Sequence, residues 1–372
     1  MKKIKLIIYH PYSYLGGADT SLKRLLSNLD YSKYSITFIS LQKSVVEKDL
    51  KSKIEFINLK CSRALFSIFK LRNIVKKYEF SEQFQKVIIF SNQNFGNIIS
   101  FFSLVGVRNI KKIFIDRNHL DELKYGNGIF AKSKNLLIKN LIKFIYKYAD
   151  LIIGISKKLS KDLSNFCNAK VITIYSPAYD TSIIKKASKK INLSKKFKYI
   201  INVSRFTPRK DHATTIKAFK LASDKIKNLK LILIGYGPEY LKIKNFIENL
   251  KINKKVIILN NENNPYPYIK QSELLVLSSK YEGMSNVLVE SLMLNTPVIS
   301  SNCNAGPAEI LLNGRGGDLF EVSNHIDLAN KIIKHFKNRN IQIKKIKIAK
   351  KKLFRFDLKN HIKIYSAIFK KI

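Results

Sequence analysis

Residues 278–290 read Ser278-Ser279-Lys280-Tyr281-Glu282-Gly283-Met284-Ser285-Asn286-Val287-Leu288-Val289-Glu290 and follow directly on the apolar run Leu274–Leu277. An apolar run, a glycine-containing turn and a second apolar pattern within about twenty residues predict a strand, a turn and a helix. The run is apolar at every position, as a strand covered on both faces of a parallel sheet must be. Glu282 then stands at the strand's carboxyl end and Glu290 in the first turns of a helix opening near Asn286. The N–H groups of Met284, Ser285, Asn286 and Val287 lie between them. Amides at a helix N-terminus attract phosphate, and flanking carboxylates accept hydrogen bonds from sugar hydroxyls. That combination suits a nucleotide sugar. Two glutamates eight apart also occur at ordinary solvated helix starts, where they merely favour the helix dipole, so the surroundings have to decide.

Upstream, the apolar run Tyr199–Val203 ends in Ser204-Arg205-Phe206-Thr207-Pro208-Arg209-Lys210-Asp211-His212. Arg205 and Lys210 are thereby placed at a strand end of the same domain, where two cations could neutralise a departing diphosphate. The same grammar extends through the chain. Strands are predicted at Ile4–His10, Ile36–Ser40, Ile54–Leu59, Val87–Ser91, Ile113–Asp116, Leu151–Ile155 and Val171–Ile174, then at Tyr199–Val203, Leu231–Ile234, Val256–Leu259, Leu274–Leu277 and Val298–Ser301. Helical patterns separate most of them. The fold class is therefore α/β, with two similar halves and a ligand expected at strand carboxyl ends.

Between the halves lies a polar, Lys- and Ser-rich stretch without strong periodicity. The expected organisation is a first domain at 1–175, a linker at 176–196, a second domain at 197–355 and a last helix at 356–372 that crosses back to the first domain. With 372 residues, two domains and substantial cores are expected.

The chain carries 69 Lys plus Arg against 26 Asp plus Glu, a net charge of +43, yet only ten of the cations are arginine. Arginine is the residue that reads phosphate and base edges bidentately. A lysine-dominated excess without a nucleic-acid motif reads first as compositional drift on a solvated surface and argues against a specific nucleic-acid partner. A hydrophobic share of 45% excludes disorder. Cys61, Cys167 and Cys303 are isolated and odd in number, so neither a disulfide framework nor a zinc site is expected. Met1–His10 has neither the apolar region nor the cleavage site of a signal peptide. Phe95–Val107 is too short to span a bilayer. A cytoplasmic protein is expected.

Two first-domain segments bear on a membrane surface. Leu65–Tyr78 reads LFSIFKLRNIVKKY, and within Lys132–Tyr148 the residues Lys132, Lys134, Lys139, Lys143 and Lys147 are interleaved with leucines, isoleucines and Tyr146. Basic amphipathic helices of this kind can lie on anionic lipid. Helices that merely cover a sheet and solvate their lysines would read the same.

Taken together, these residues resemble the retaining glycosyltransferase family 4, built on the GT-B architecture of two Rossmann-like domains facing across a cleft. The resemblance runs over nearly the whole chain. It is carried by Gly16-Gly17-Ala18, Gly154-Ile155-Ser156, Ser204-Arg205 with Lys210, the pair Glu282 and Glu290, Asn295-Thr296-Pro297-Val298-Ile299, and Gly306-Pro307-Ala308-Glu309-Ile310-Leu311.

The resemblance implies that Arg205 and Lys210 hold the donor diphosphate, that Glu282 binds donor-sugar hydroxyls and that Glu290 binds the nucleotide ribose. Amides from Met284 to Val287 contact sugar and phosphate. The Gly16-Gly17 turn, lacking side chains, lets backbone approach the donor phosphate or the acceptor. His119, after the strand Ile113–Asp116, would by itself fit a solvated turn, but the family commonly places a histidine there, near the reacting sugar. Asp19 and Asp116 remain alternative acceptor-side groups. No metal or other cofactor is expected, in keeping with the absence of an Asp-x-Asp pair.

Asn264-Pro265-Tyr266-Pro267-Tyr268-Ile269 resembles a subgroup that uses UDP-linked hexoses or N-acetylhexosamines. The implied activity is transfer from a UDP-sugar to a glycolipid or lipid-linked saccharide in surface polysaccharide synthesis, O-antigen or capsule, by a bacterial enzyme peripheral on the inner face of the cell membrane. A nucleotide-sugar epimerase of the same fold and a non-enzymatic nucleic-acid binder are the alternatives.

Overall fold

The computed structural model describes residues 2–13, 16–117, 119–124, 129–191, 193, 197–260 and 262–372. It divides into two compact units, 1–177 with 358–372, and 178–357.

The first unit runs β1 (Ile4–Tyr9), α1 (Gly17–Ser27), β2 (Tyr34–Ser40), α2 (Glu47–Leu50), β3 (Glu55–Asn58), α3 (Ile68–Lys76), β4 (Lys86–Asn92), α4 (Asn94–Ser103), β5 (Ile110–Asp116), α5 (Ile129–Ile145), β6 (Leu151–Gly154), α6 (Lys157–Cys167) and β7 (Val171–Thr173). Its seven strands are all parallel, in the order β3-β2-β1-β4-β5-β6-β7. Alternation of buried and exposed positions is absent from β1, whose six residues are buried throughout, because helices cover both faces of a parallel sheet. Leu71, Val75, Ile99 and Leu104 of the α3–α4 side close over Ile7, Val87 and Ile89. Ile138, Ile142 and Ile145 of α5 close over Phe114 and Ile152.

The second unit contains α7 (Ser182–Ala187), β8 (Lys198–Val203), α8 (His212–Ser223), β9 (Leu229–Gly235), α9 (Tyr240–Asn249), β10 (Val256–Asn260), α10 (Tyr266–Gln271), β11 (Leu274–Leu277), α11 (Asn286–Met293), β12 (Val298–Ser301), α12 (Pro307–Ile310), β13 (Asp318–Phe320), α13 (His325–Lys337) and α14 (Arg339–Lys350). Its six parallel strands follow the order β10-β9-β8-β11-β12-β13. The short β13 escapes sequence reading because its residues, Asp318-Leu319-Phe320, form no apolar run.

Chain position and unit membership part company twice. α7 lies inside the stretch expected as a linker, yet its Ile183 and Ala187 are buried, and the helix packs on α10 within the second unit. The last helix, α15 (Leu358–Lys371), belongs to the first unit. There Phe369 and Tyr365 meet Phe90 edge-on at centroid distances of 5.7 and 5.6 Å, and Phe369 meets Tyr34 at 5.8 Å. Such aromatic contacts add to burial energy through ring quadrupoles.

In both sheets the strand order reverses beside the first strand, between β1 and β4 and between β8 and β11. Loops leaving the carboxyl ends at a reversal diverge and leave a crevice, which is where ligands bind in open α/β sheets. The loop after β8 carries Arg205 and Lys210, and the loop after β11 carries Glu282.

Candidate active site

In the second unit, Lys210 and Glu282 meet directly, the ammonium donating to Oε1 of the carboxylate. Both side chains are largely buried, at 12% and 6% exposure. The loops are held to make this contact. Ser278 hydroxyl donates to the carbonyls of Lys210 and Asp211 at 2.9 and 2.8 Å, Thr215 donates to Ser278 at 2.8 Å, and the Lys280 amide donates to the Arg209 carbonyl at 2.8 Å. Ser279 hydroxyl donates to Glu282 Oε1 at 2.7 Å, while its own carbonyl accepts from Ser301 at 2.6 Å.

Burial alone would raise the Glu282 carboxyl, but the nearby Lys210 and Arg209 charges and the hydrogen bonds from Lys210 and Ser279 outweigh it and hold the group below the usual carboxylate range. Glu282 is therefore an acceptor, able to take hydrogen bonds from hydroxyls. The positive charge of Arg205 and of Arg209 also reaches the Lys210 ammonium, so three cations share one crevice. Arg209 additionally lies over the Tyr281 ring, 5.5 Å from its centroid.

Ser285 is the N-cap of α11 but makes no side-chain cap hydrogen bond, and Met284, Ser285 and Asn286 are buried at the helix opening. Glu290, one turn further, is also buried and accepts from the Tyr266 hydroxyl at 3.2 Å. The strand, turn and helix expected from the spacing are present, with Glu282 in the turn and Glu290 in the helix, both buried. Tyr266, Ser278, Ser279 and Arg209 were not singled out from the sequence. Tyr266 had a signal in its Pro-flanked motif; the serines had none, because a hydroxyl's partners are tertiary.

Beside these loops His212 is buried, with Nε2 3.0 Å from the Ser204 hydroxyl, which itself donates to Asn202 at 2.7 Å. Its Nδ1 is buried without a hydrogen-bond partner. Burial, and secondarily the Lys210 charge, push the imidazole down to about 4, against some opposition from Asp211. A lowered folded value means that below the ordinary value near 6.5 the unfolded chain takes up a proton the folded chain refuses. Stability should therefore fall between about pH 6.5 and pH 4, by up to about 3 kcal/mol from this group. Denaturant midpoints measured from pH 7 to pH 4 should drop less steeply in His212→Gln than in the natural chain; identical slopes would show that His212 is not the titrating group.

In the first unit, Gly16 is the N-cap of α1 and has no side-chain cap, and Gly17 opens the helix. Asp19 in the first turn accepts from Ser13 at 2.7 Å and lies 3.2 Å from His10 Nε2, with Ser13 and Ser44 hydroxyls 2.8 Å apart. His119 is buried, and its Nε2 lies 2.6 Å from Asp162 on α6, a carboxylate also held by Lys158 at 2.7 Å. Asp162 is forty-three positions away and had no sequence signal. Asp116 is at 1% exposure, with burial pushing its carboxyl up to about 7, so it lies beneath the surface. Ser156 of the Gly154-Ile155-Ser156 motif caps α6 by accepting from the Leu159 amide at 3.3 Å.

Comparison with known proteins bears on what this arrangement is. Residues 183–352 match the family described as glycosyl transferases group 1. The chain is 30% identical over 306 residues to an uncharacterised glycosyltransferase of Methanocaldococcus jannaschii, covering 78% of this chain and 73% of that protein. It is 29% identical to the N-acetylgalactosamine-N,N'-diacetylbacillosaminyl-diphospho-undecaprenol 4-alpha-N-acetylgalactosaminyltransferase of Campylobacter jejuni, with 87% of each chain covered. Among solved structures, the Anabaena protein HepE in complex with UDP and glucose superposes with a TM-score of 0.79 at 16% identity over 100% of both chains. The sucrose-phosphate synthase of Thermosynechococcus elongatus does so with a TM-score of 0.81 at 16% identity over 99% of each. These likenesses assign the two parallel-sheet units to the GT-B fold. With the family match lying across the crevice loops and a 30% identical relative covered over most of its length, the chain belongs to the group 1 glycosyltransferases.

Proposed function

We propose that the protein is a retaining transferase that moves a hexose or N-acetylhexosamine from a UDP-sugar to a lipid-linked saccharide or glycolipid, in surface-polysaccharide synthesis at the inner face of the cell membrane, without a metal. The observation that carries the donor half is the buried Lys210–Glu282 contact beside the uncapped opening of α11, with Glu290 one turn on. A cation, helix amides and two carboxylates in one crevice complement phosphate, sugar hydroxyls and ribose respectively.

In this reading Arg205 and Lys210 take the diphosphate, and their charge stabilises it as it departs with the electrons of the bond to the sugar. Amides of Met284 to Val287 bind phosphate and sugar, Glu282 the sugar hydroxyls and Glu290 the ribose. The acceptor oxygen attacks the sugar from the face the phosphate leaves and gives its proton to that phosphate, and Gly16, Gly17 and His119 are read as acceptor-binding groups of the first unit. Asp162 fixes which ring nitrogen of His119 carries the proton.

The Campylobacter relative supports the acceptor: its name specifies a diphospho-undecaprenol saccharide and an alpha linkage, which is what retention yields from an α-linked nucleotide sugar. The absence of Asp-x-Asp in the sequence supports metal independence. Incubation with a panel of UDP-sugars and membrane-lipid acceptors should release UDP and give a product of unchanged anomeric configuration by NMR. A folded protein that neither binds nor turns over any UDP-sugar would sink the proposal, and isomerisation without transfer would make it an epimerase instead.

A further inference from the structure

On one side of the first unit's sheet the helices α3, α4 and α5 pack as neighbours. Their inner faces are core, and their outer faces carry apolar side chains among the lysines. Leu65 and Phe66 in the 3-10 turn Ala64–Ser67, then Phe69, Leu136, Leu137 and Phe144, are all exposed, Phe69 at 76%. Scattered surface hydrophobes need no explanation, whereas a contiguous set marks an interaction surface. The α4–α5 part of this set is joined up. Phe101 contacts Phe102 and Tyr148 at ring-centroid distances of 5.4 and 5.7 Å, and Tyr148 contacts Phe144 at 5.5 Å, so aromatic rings run unbroken from the end of α4 to the end of α5. Arg72 of α3 donates to the carbonyls of Ser103 and Val105 and ties α3 to the same end of α4.

The charge on these helices has one sign. Segments 64–78, 94–107 and 129–148 contain nine lysines and arginines and no aspartate or glutamate. Exposed Lys132, Lys143 and Lys147 flank Leu136, Leu137 and Phe144 on α5. Apolar side chains projecting from a ring of lysines are complementary to a bilayer interface, where chains insert among acyl groups and ammoniums meet anionic headgroups. A second copy fits poorly, since it would set cations against cations. Nucleic acid fits poorly as well: the one arginine within these segments is spent on backbone carbonyls, and lysines alone give no bidentate reading of phosphate or base edges. No helix among the described residues is long and apolar enough to cross a membrane, so insertion would stay interfacial.

We infer that the outer face of α3, α4 and α5 is a docking surface for an anionic lipid bilayer. The 3-10 turn bearing Leu65 and Phe66 hydrogen-bonds Tyr9 at the carboxyl end of β1 through Ser67, at 2.7 Å, so the surface reaches the sheet edge that carries the Gly16-Gly17 turn. Its use, bringing a lipid-linked acceptor to that edge, rests on the proposed function; the binding does not.

The test is co-sedimentation with vesicles of phosphatidylcholine containing about 30% phosphatidylglycerol, against phosphatidylcholine alone. Anionic vesicles should bind at least about tenfold more protein, and added salt should weaken that binding. Replacing Lys132, Lys139, Lys143 and Lys147 by Gln should lower partition by about a hundredfold or more, each cation being worth about fivefold. Phe69→Ser with Phe144→Ser should lower it by at least about tenfold. The lysine variants touch no core residue, so they keep the test decisive if the phenylalanine pair impairs folding. Equal binding to neutral vesicles, unchanged binding by the lysine variant, or a dimer in light scattering that the same substitutions dissolve would each overturn the inference. UDP binding, measured separately by calorimetry, should be unchanged in every variant; its absence from the natural chain would count against the donor reading and leave the docking surface standing.

Discussion

Glu282→Gln and Lys210→Ala should each lower kcat/KM by about a hundred- to a thousandfold, the usual cost of removing one preorganised group from a transferring centre. The two should differ in stability. Lys210→Ala strands the Glu282 carboxylate, buried at 6% exposure with the Ser279 hydroxyl, and breaking a buried pair from one side costs about 3–5 kcal/mol. Glu282→Gln keeps an amide oxygen facing the ammonium and should cost less. The double variant Lys210→Met, Glu282→Leu separates a stabilising role from a functional one. Removing both charges should recover most of the stability lost in Lys210→Ala, yet no turnover should return. Full activity in either folded single variant would refute the roles assigned to the pair. Because the folded Glu282 carboxyl lies below its ordinary range, its stabilising contribution is complete above the unfolded value near 4.3 and disappears as pH falls through the folded one.

Gly306→Ala should raise the donor KM by about a hundredfold, the penalty of shifting a binding loop by about 1 Å. Gly306 has φ +72° and ψ −77°, a γ-turn conformation that L-residues rarely adopt. A Cβ there would lie 2.8 Å from the Gly283 carbonyl oxygen and 3.2 Å from Met284 Cα. Backbone cannot swing aside as a flexible side chain can, so the loop between Glu282 and α11 must move. Strain alone should cost about 1–3 kcal/mol of stability. Gly314→Ala is the matched control: φ is +91°, but the nearest atom to its Cβ is 4.0 Å away. It should lose stability and keep its donor KM. A rise in KM with both substitutions, or with neither, would show that the Gly306 contact does not set the loop.

Much of the fold is visible in local pattern. Strands such as Ile4–Tyr9 and Leu274–Leu277 read as continuous apolar runs because both their faces are covered, and the break after each run locates the loop that carries chemistry. The placing of Arg205, Lys210 and Glu282 in loops that follow strands, and of Glu290 in the helix after Glu282, comes from that spacing alone. α7 was hidden because six residues rich in lysine show too little periodicity to separate from a linker.

What a residue touches is another matter. That Lys210 closes on Glu282, seventy-two positions away, follows from β8 and β11 being sheet neighbours, which depends on every crossover between them. The same holds for Asp162 at His119 and for Tyr266 at Glu290. It also sorts the faces of the lysine-rich helices, since a period shows that a helix has two faces, whereas only packing shows that α5 spends Ile138, Ile142 and Ile145 on the core and leaves Leu136, Leu137 and Phe144 exposed. Most of the β-α order, and which residues follow each strand, can be read from local pattern, because backbone period is local. Tertiary structure decided the partners, since partners are set by strand order and burial, which no stretch of chain specifies alone.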